Sequence, residues 1–205
     1  MPVKSKDAPT KGETTRLAIE DAAIELFMEN GYHATSMRQI ADHAGLALGG
    51  IYNHFTSKEE LFEGIIVDKH PYKKILPLIL EVQGDTAEEF LKNAMRIVIT
   101  ELGREPYYLK LMMIEFVEFN GGHGAAMLKE IAPKVLPVFE QLIKMRKDLR
   151  VTNPAMLMRF FFGMVLSYFV TEMVISNSII SNLMPKKPMD VYTDIFLHGI
   201  LKPES

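Results

Sequence analysis

The chain has 205 residues, of which 48% are hydrophobic and 24% are charged, a balance typical of a folded globular protein of one or two domains. It contains no cysteine, which excludes disulfides, thiol catalysis and cysteine metal sites and fits a reducing cytosol. Its formal net charge of -3 excludes a basic surface spread over the whole chain, so any binding to nucleic acid must depend on where the cations lie.

The N-terminal segment is polar, and the first helix is acidic. Residues 1–15 lack the apolar core of an export signal, so a cytoplasmic protein with a polar N-terminal arm is expected. Residues 1–58 hold six lysines or arginines and seven acids, so even this region is close to neutral. Five of the acids are expected on the first helix: Glu13, Glu20, Asp21, Glu25 and Glu29. The few cations can share the opposite side, which predicts few phosphate contacts and a moderate salt dependence.

Two short helices joined by a glycine turn are predicted after the first helix. Ser36 and Gln39 have the spacing of a capping box, in which the serine oxygen accepts a backbone hydrogen bond and the glutamine reaches back. Gly45 is expected to end this helix, because glycine adopts the left-handed backbone of a helix C-terminus without steric cost. The second helix is expected from about Ala47 to Asn53, and its adjacent glycines give it a low helix propensity.

The second short helix has an outward face suited to contact with another molecule. Ile51 is expected to point inward, whereas Leu48, Gly49 and Tyr52 point outward, and a glycine lets another backbone come close. The segment Ser57–Glu60 is a second capping box that starts a further helix. Two short helices on a tight turn are the layout of a helix-turn-helix DNA reader.

The residues at these offsets resemble the N-terminal signature of the tetracycline-repressor (TetR) family of bacterial transcription regulators. The resemblance covers about the first third of the chain and is carried by Gly31, Tyr32, Thr35, Ile40, Ala41, Ala44, Gly45, Gly49, Ile51, Tyr52, His54, Phe55, Lys58, Glu60 and Leu61. It implies an all-α fold in which a three-helix DNA-binding domain, residues 1–57, joins a larger helical domain for dimerisation and ligand binding, residues 58–205. The resemblance thus implies a dimeric repressor released from a near-palindromic operator by a small apolar or amphipathic effector.

DNA contacts are predicted at the helix starts and along the second short helix. Lys58 stands at a helix N-terminus, where its charge opposes the helix dipole, so a bound phosphate would explain its placement. Tyr52 and His54 are also predicted to contact phosphate, because Ile51 and Phe55 occupy the inward positions. The predicted DNA-binding residues are Thr35, Ser36, Met37, Arg38, Ala47, Leu48, Gly49, Tyr52, Asn53, His54 and Lys58.

The recognition helix departs from the usual family pattern at two positions. A polar residue often stands in the family at the position of Ala47, and polar or basic residues are frequent at that of Leu48. Neither side chain can hydrogen-bond to a base edge, but both can pack against thymine methyl groups in the major groove. We therefore expect thymine to be read by apolar contact, with Arg38, Tyr52 and DNA shape contributing the rest.

The remainder of the chain is predicted to be helical throughout. Helices are expected from Asp85 or Thr86 to about Gly103, from Pro106 to Gly121–Gly122, from about Gly124 to Asp148, from Asn153–Pro154 to about Asn177, and after Pro188. Pro133 and Pro137 are expected to kink or interrupt the third of these helices.

The long helix after Asn153 is apolar on nearly all sides. Its longest uncharged run, residues 160–171, is shorter than the roughly 18 to 20 residues that a membrane span needs, so a buried helix in a soluble protein is predicted. Burial inside one subunit is one interpretation, and pairing with a second copy in a two-fold four-helix interface is the favoured one. The predicted dimer contacts are Phe161, Val165, Phe169, Met173, Tyr192, Phe196 and Ile200.

The 14 methionines and the aromatic residues of the middle helices predict an adaptable apolar pocket for a small effector. The predicted lining is Tyr107, Met112, Met113, Phe116, Phe119, Phe139, Met164 and Tyr168. Ordinary core packing is the alternative for each residue, and the larger domain would then answer to a protein partner or serve only for dimerisation. Glu115, Glu118 and Glu172 interrupt apolar stripes and would face either a cationic ligand or solvent.

An enzyme is not expected. A glycine-rich phosphate loop is missing, and the segment Gly121–Gly124 lacks the preceding strand that a phosphate site needs. Glu115, Glu118 and His123 have the chemistry of metal ligands but at an unsupported spacing, and His33 and His43 have no partner at ligand spacing and are expected to be solvated. Neither a metal nor a cofactor is predicted.

Overall fold

The computed structural model describes residues 10–200, apart from residues 146, 148, 152, 177, 186 and 187 and the side chains of residues 139, 154 and 200. This part of the chain forms ten α-helices and no β-strand, which confirms the predicted all-α class. The helices are α1 Lys11–Asn30, α2 Met37–His43, α3 Leu48–Tyr52, α4 Lys58–Asp68, α5 Tyr72–Leu80, α6 Ala87–Gly103, α7 Pro106–Glu118, α8 Gly124–Lys144, α9 Pro154–Ile175 and α10 Pro188–Ile200, with a 3-10 helix at Ile179–Leu183.

The chain forms two compact units, each built from two separate stretches of sequence. The first unit comprises the chain up to His70 together with Tyr107–Leu128, and the second comprises Pro71–Pro106 and the chain from Lys129 onward. The first unit therefore contains α4 and most of α7 in addition to the three predicted N-terminal helices. The domain boundary expected after residue 57 stays a prediction.

The first unit has one apolar core with an aromatic centre. The rings of Phe27, Tyr32 and Phe62 have their centroids 5.3 to 5.9 Å apart. Within this core α2 buries Ile40 and Ala41, and α3 buries only Ile51. Each fully buried large side chain contributes about 1.5 to 3 kcal/mol. These buried residues anchor α2 and α3, and Met37 and Leu48 add half-buried contacts with the same core.

The second unit packs α6 against α5 and α10, and α10 against α9. Its buried apolar residues are Tyr72, Ile75, Leu76, Ala87, Phe90, Leu91, Ala94, Met95, Val98, Leu149, Leu157, Val165, Phe169, Phe196 and Leu197. The second unit thus has an apolar core of its own.

The predicted starts of the later helices are confirmed. Thr86 caps α6, because its hydroxyl oxygen accepts the N–H of Glu89 at 3.2 Å. Asn153 caps α9 through the N–H groups of Ala155 and Met156, at 3.0 and 3.2 Å. These caps act within three residues along the chain, so the sequence alone is enough to place them.

Three local predictions need correction. Ser57 caps α4 by accepting the N–H of Glu60 at 3.0 Å, but the Glu60 carboxylate accepts the N–H of Thr56 at 2.7 Å, so the second capping box is only half formed. Pro133 and Pro137 do not interrupt α8, which runs through both, and a kink at either residue stays a prediction. Both prolines are exposed, so water can reach the carbonyls that lose a helical partner. The helix α5 and the 3-10 helix have no counterpart in the prediction.

Candidate nucleic-acid interface

A Schellman motif closes the turn between α2 and α3. Gly45 has a φ of +70°, and the N–H of Leu46 donates to the carbonyl oxygen of Ala41 at 2.8 Å. At the other end of α2, Ser36 Oγ accepts the N–H of Gln39, and the Gln39 side chain accepts the N–H of Ser36 at 2.8 Å. The predicted capping box and glycine turn are thereby confirmed, and they fix α2 and α3 as a helix-turn-helix.

One face of this helix-turn-helix is open to solvent. The exposed members of the predicted DNA-binding set are Ser36, Arg38, Ala47, Gly49, Tyr52 and Asn53. Tyr52 is 49% exposed although it is aromatic. A Cβ built on Gly49 would have no other atom within 4 Å, so the surface at this glycine has room for a second molecule's backbone.

Thr35 does not belong to this open face. Its side chain is buried, and its hydroxyl donates to the carbonyl oxygen of Gly31 at 2.9 Å. A hydroxyl bonded to a carbonyl four residues back restrains the backbone, so Thr35 closes the turn after α1. The structure thus corrects the role of this side chain from DNA contact to turn closure.

Three further members of the predicted set are half-buried. Met37 and Leu48 pack against the core of the first unit, so Leu48 faces outward only in part. Ala47 precedes α3 and makes no side-chain cap. Of Ala47 and Leu48, the two residues predicted to contact thymine methyl groups, Ala47 is the exposed one. His54 is half-buried just after α3. Contacts of these residues with DNA stay predictions.

The side chain of Lys58 turns back onto the chain. Its Nζ donates to the carbonyl oxygens of Tyr32 and Thr35, at 2.6 and 2.7 Å, and lies 4.2 Å from the centroid of the Tyr32 ring. Burial lowers the pKa of Lys58, and the negative charge of Glu118 opposes this effect. This ammonium group is already bound within the fold, and the phosphate contact predicted for Lys58 stays a prediction.

His33 and His43 are both exposed, as expected, and each also contacts one carboxylate. His43 Nε2 lies 2.7 Å from Glu25 Oε2 and joins α2 to α1. His33 Nε2 contacts Glu118 Oε2 at the end of α7. The described residues contain no cluster of three side chains able to hold a metal ion.

Glu20 is a buried acid that the sequence does not single out. Arg16 Nε lies 3.1 Å from Glu20 Oε1 and Lys69 Nζ lies 3.9 Å from Oε2, yet neither oxygen has a well-aligned hydrogen bond within the described part of the chain. Burial raises the pKa of Glu20, and the nearby charge of Asp68 adds to this effect, while Arg16 and Lys69 oppose it.

Glu115 and His123 form a buried pair across the turn between α7 and α8. The His123 N–H donates to Glu115 Oε1 at 2.8 Å, and His123 Nδ1 lies 2.7 Å from Glu115 Oε2. Gly121, with a φ of +73°, lets the chain reverse between them. Glu115 therefore faces neither a solvated rim nor a free ligand site. The adjacent glycines at 121 and 122 are the sequence feature from which the close approach of Glu115 and His123 could have been predicted.

In the first unit, the residues proposed for a pocket are used mainly for packing. Tyr107, Met112 and Phe119 are half-buried against the core, and the Phe119 ring stacks on Phe62. Met113 is also half-buried, whereas Phe116 is 53% exposed. Tyr107, Met112 and Phe119 thus take part in core packing, which was the alternative to a place in the ligand pocket.

In the second unit, Met164 and Tyr168 are half-buried. The Tyr168 ring contacts the rings of Phe169 and Tyr192, with centroids 5.2 and 5.4 Å away. The side chain of Phe139 lies outside the described residues. Ligand binding by the predicted set stays a prediction.

The helix α9 has two apolar faces, of which one packs within its own unit. The buried face contains Leu157, Val165 and Phe169, and Phe196 of α10 is also buried. Three predicted dimer contacts therefore lie inside one chain: Val165, Phe169 and Phe196. Phe161 and Tyr192 are half-buried, Met173 is 47% exposed, and the side chain of Ile200 lies outside the described residues.

The second apolar face of α9 is exposed, so burial of the whole helix inside one subunit is excluded. Its exposed apolar residues are Met156, Phe160, Phe162, Val170, Met173 and Val174, and α10 adds Val191 and Ile195. By length and composition alone, Ala155–Ile175 could cross a membrane, which is weak evidence for a span. The helix also carries Arg159 and Glu172.

Residues 19–65 match the family model described as bacterial regulatory proteins, tetR family. This stretch contains α2 and α3 with the turn between them, and parts of α1 and α4. The family match therefore falls on the segment whose open face and caps are described above.

Two relatives are similar over part of their length. The HTH-type transcriptional regulator UidR of Escherichia coli (strain K12) is 43% identical over 123 residues, which are 58% of this chain and 60% of UidR. The HTH-type transcriptional repressor KstR2 of Mycolicibacterium smegmatis is 37% identical over 62 residues, 30% of each chain. The chain thus spans about three fifths of the length of UidR.

Solved structures share the fold over nearly the whole chain. SmeT, the repressor of the Stenotrophomonas maltophilia multidrug efflux pump SmeDEF, has a TM-score of 0.66 at 22% identity, covering 95% of this chain and 94% of SmeT. A TetR family transcription regulator from Marinobacter aquaeolei VT8 has a TM-score of 0.67 at 15% identity, covering 92% and 96%. At these identities the likeness shows the fold alone.

Proposed function

The chain belongs to the TetR family of bacterial regulatory proteins, and we propose that it is a dimeric transcriptional repressor that binds a near-palindromic DNA operator. The observation that carries this proposal is the open face of the helix-turn-helix, which Ile40 and Ile51 anchor from behind and which exposes Gly49 and Tyr52. UidR and KstR2 are named as transcriptional regulators and not as enzymes. A regulator acting on the chromosome would work in the cytoplasm.

The exposed groups divide into those that position the protein and those that read sequence. Ser36, Tyr52 and Asn53 offer hydroxyl or amide groups suited to phosphate oxygens. Arg38 is exposed, and its guanidinium group suits a guanine edge. The N–H groups at the start of α4 would bind a further phosphate through the helix dipole.

Selection of bound sequences from random DNA, with the full chain, tests the proposal. We expect enrichment of a near-palindrome with half-sites about one helical turn apart. Arg38→Ala should weaken binding to that sequence by about 1 to 3 kcal/mol and relax specificity at one position. Arg104→Ala, at an exposed arginine of the second unit, is the control and should have no effect. Failure to enrich any sequence at low salt would contradict the proposal.

We propose that Ala47 reads thymine by contact with its methyl group. Support comes from the exposure of Ala47 and from its lack of a polar group. Replacing the contacted thymine by uracil removes one methyl group and should weaken binding by about 0.8 kcal/mol, roughly fourfold. Quantitative binding assays on the two operators measure this difference, and equal affinities would rule out the apolar contact.

We propose that the dimer forms through the exposed faces of α9 and α10. A set of exposed apolar residues on two packed helices is typical of an interface, and Phe160, Val170, Met173 and Ile195 are exposed on α9 and α10. A Cβ on Gly163 or on Gly199 would meet no other atom within 4 Å. A second copy, and not lipid, would then cover α9. A two-fold dimer also presents two reading heads to a near-palindrome.

A small apolar or amphipathic effector is proposed to release the operator. Support comes from SmeT, whose structure was also solved in a complex with triclosan. A typical coupling of about 1 to 3 kcal/mol would weaken operator binding roughly 5- to 150-fold. Screening compounds for operator release tests this step. If a protein from the source cell releases the operator and no compound does, control by a protein partner would be the better account.

A further inference from the structure

The turn between α1 and α2, residues 31–35, is held by a cation from another helix. Lys58, the first residue of α4, donates to the carbonyl oxygens of Tyr32 and Thr35, although these residues lie 26 and 23 positions away in the sequence. Hydrogen bonds from a charged donor are about twice as strong as neutral ones. Among the described residues, no backbone hydrogen bond joins this turn to α4, so the side chain of Lys58 links two elements that the backbone does not.

We propose that Lys58 is a positioning residue for DNA binding: its ammonium group fastens the α1–α2 turn to the start of α4, sets the position of α2, and does not bind phosphate. This inference rests on the proposed function. The carbonyl group of Thr35 belongs to the same peptide as the N–H of Ser36, which is the N-cap of α2. A bond to that carbonyl therefore acts directly on the residue from which α2 starts.

The Lys58 ammonium group contacts two carbonyl oxygens and one aromatic ring. Two of its three N–H donors are used by carbonyls, and the Tyr32 ring lies 4.2 Å away as a cation–π partner. Tyr32 is itself fixed, because its ring contacts those of Phe27, Phe62 and Phe119. If Lys58 moved away to a phosphate, both carbonyl groups would lose a charged donor, and in the described part of the structure only that of Tyr32 would keep another hydrogen bond, from the Thr35 N–H. A phosphate contact by this side chain thus competes with the turn that positions α2.

Hydrogen bonds within residues 31–35 also stabilise the turn. The Thr35 hydroxyl donates to the carbonyl oxygen of Gly31, and the Thr35 N–H donates to that of Tyr32 at 3.3 Å. His33 contacts Glu118 of α7. These bonds shape the turn, whereas the Lys58 ammonium group and the contact of the Tyr32 ring with Phe62 connect it to α4, whose N-terminus is itself proposed to face DNA.

The salt dependence of operator binding separates positioning from phosphate contact. Each phosphate contact contributes about 0.9 to the slope of log affinity against log salt concentration. Lys58→Met should weaken binding about tenfold or more with an unchanged slope, because it moves α2 without removing an ion pair with DNA. Lys58→Arg, which keeps donors for both carbonyls, should restore most of the affinity. A slope reduced by about 1.8, which is about 0.9 for each of the two Lys58 residues of the dimer, or an unchanged affinity, would overturn the proposal.

Lys69→Met is the matched control, because Lys69 is a half-buried lysine just after α4 that binds Asp21 and not the turn. It should lower stability without changing operator affinity by more than about twofold. A loss of affinity in this control equal to that in Lys58→Met would count against positioning.

Amide hydrogen exchange of the free protein gives a test that does not depend on DNA. Lys58→Met should speed exchange of the amides of Ser36–Gln39, and Lys69→Met should not. Unchanged exchange in Lys58→Met would overturn the proposed role even if operator binding fell. If the wild-type chain selected no DNA sequence, the proposed function would fail, whereas the exchange result would still decide the role of Lys58.

Discussion

At the scale of single residues, Glu20 links the packing of the first unit to pH. Burial raises its pKa above the usual value of 4.5, so the folded chain binds more protons than the unfolded chain between that value and the raised one. The contribution of Glu20 to stability is therefore fully present below the usual value and is lost as the pH rises through the folded-state pKa.

The variant Glu20→Gln should remove this pH dependence. Its free energy of unfolding, taken relative to that of the wild type, should increase as the pH rises above 4.5, because the wild type loses the contribution of Glu20. Denaturant unfolding at several pH values measures the difference. Glu29→Gln, at an exposed acid of the same helix, is the control. A difference that stays constant with pH would show that burial of Glu20 does not perturb its ionisation.

Gly45 and Gly49 offer a matched pair of glycine-to-alanine changes. Gly49→Ala adds a Cβ to an open helical position, so stability should stay equal or rise by about 0.5 to 1 kcal/mol, while operator binding falls because the added methyl group keeps the DNA backbone away. Gly45→Ala forces a left-handed residue and should cost about 1 to 2 kcal/mol of stability. Thermal unfolding and operator titration of both variants measure these effects. Unchanged DNA binding by Gly49→Ala would contradict the prediction.

At the scale of elements, capping decides where the helices of the first unit begin. Two residues form hydrogen bonds with Glu60 at the start of α4. The hydroxyl oxygen of Ser57 accepts the N–H of Glu60, and the N–H of Thr56 donates to the Glu60 carboxylate. This arrangement leaves the first N–H groups of α4 without helical partners, as the proposed phosphate contact requires.

The variant Ser57→Ala should lower the free energy of unfolding by about 1 kcal/mol, because the N–H of Glu60 loses its acceptor. Ser57→Asp keeps an acceptor and adds a favourable charge at the helix N-terminus, so it should retain the wild-type stability. Denaturant unfolding of the three proteins without DNA provides the measurement. Equal destabilisation by both variants would mean that the cap hydrogen bond contributes nothing.

At the scale of the whole molecule, the exposed face of α9 and α10 is the feature that a single chain leaves uncovered. Ile195→Lys places a charge at a position that is 67% exposed, so the chain should still fold, but a dimer that buries this position should dissociate. Leu136→Lys, at a position of α8 that is 54% exposed, should leave the dimer intact. Sedimentation of both variants at micromolar concentration tells them apart. An unchanged dimer in Ile195→Lys would exclude this face as the interface.

Features that act over a few residues can be predicted from the amino-acid sequence alone. The Ser36 cap, the left-handed Gly45 and the Asn153 cap are local, because each depends on groups no more than five residues apart. Fixed offsets of the same kind identified the family, and the helix starts at Thr86 and Pro106 follow from equally local signals.

Tertiary structure decided everything that depends on which face of a helix is buried and which distant groups meet. Sequence periodicity cannot distinguish the two apolar faces of α9, so Val165 and Phe169 were assigned to a dimer although they pack inside one chain. The burial of Glu20 and the carbonyl partners of Lys58 depend on contacts between helices far apart in sequence. Local chemistry fixes where a helix starts and ends, whereas the partners of its side chains are set only when the helices pack.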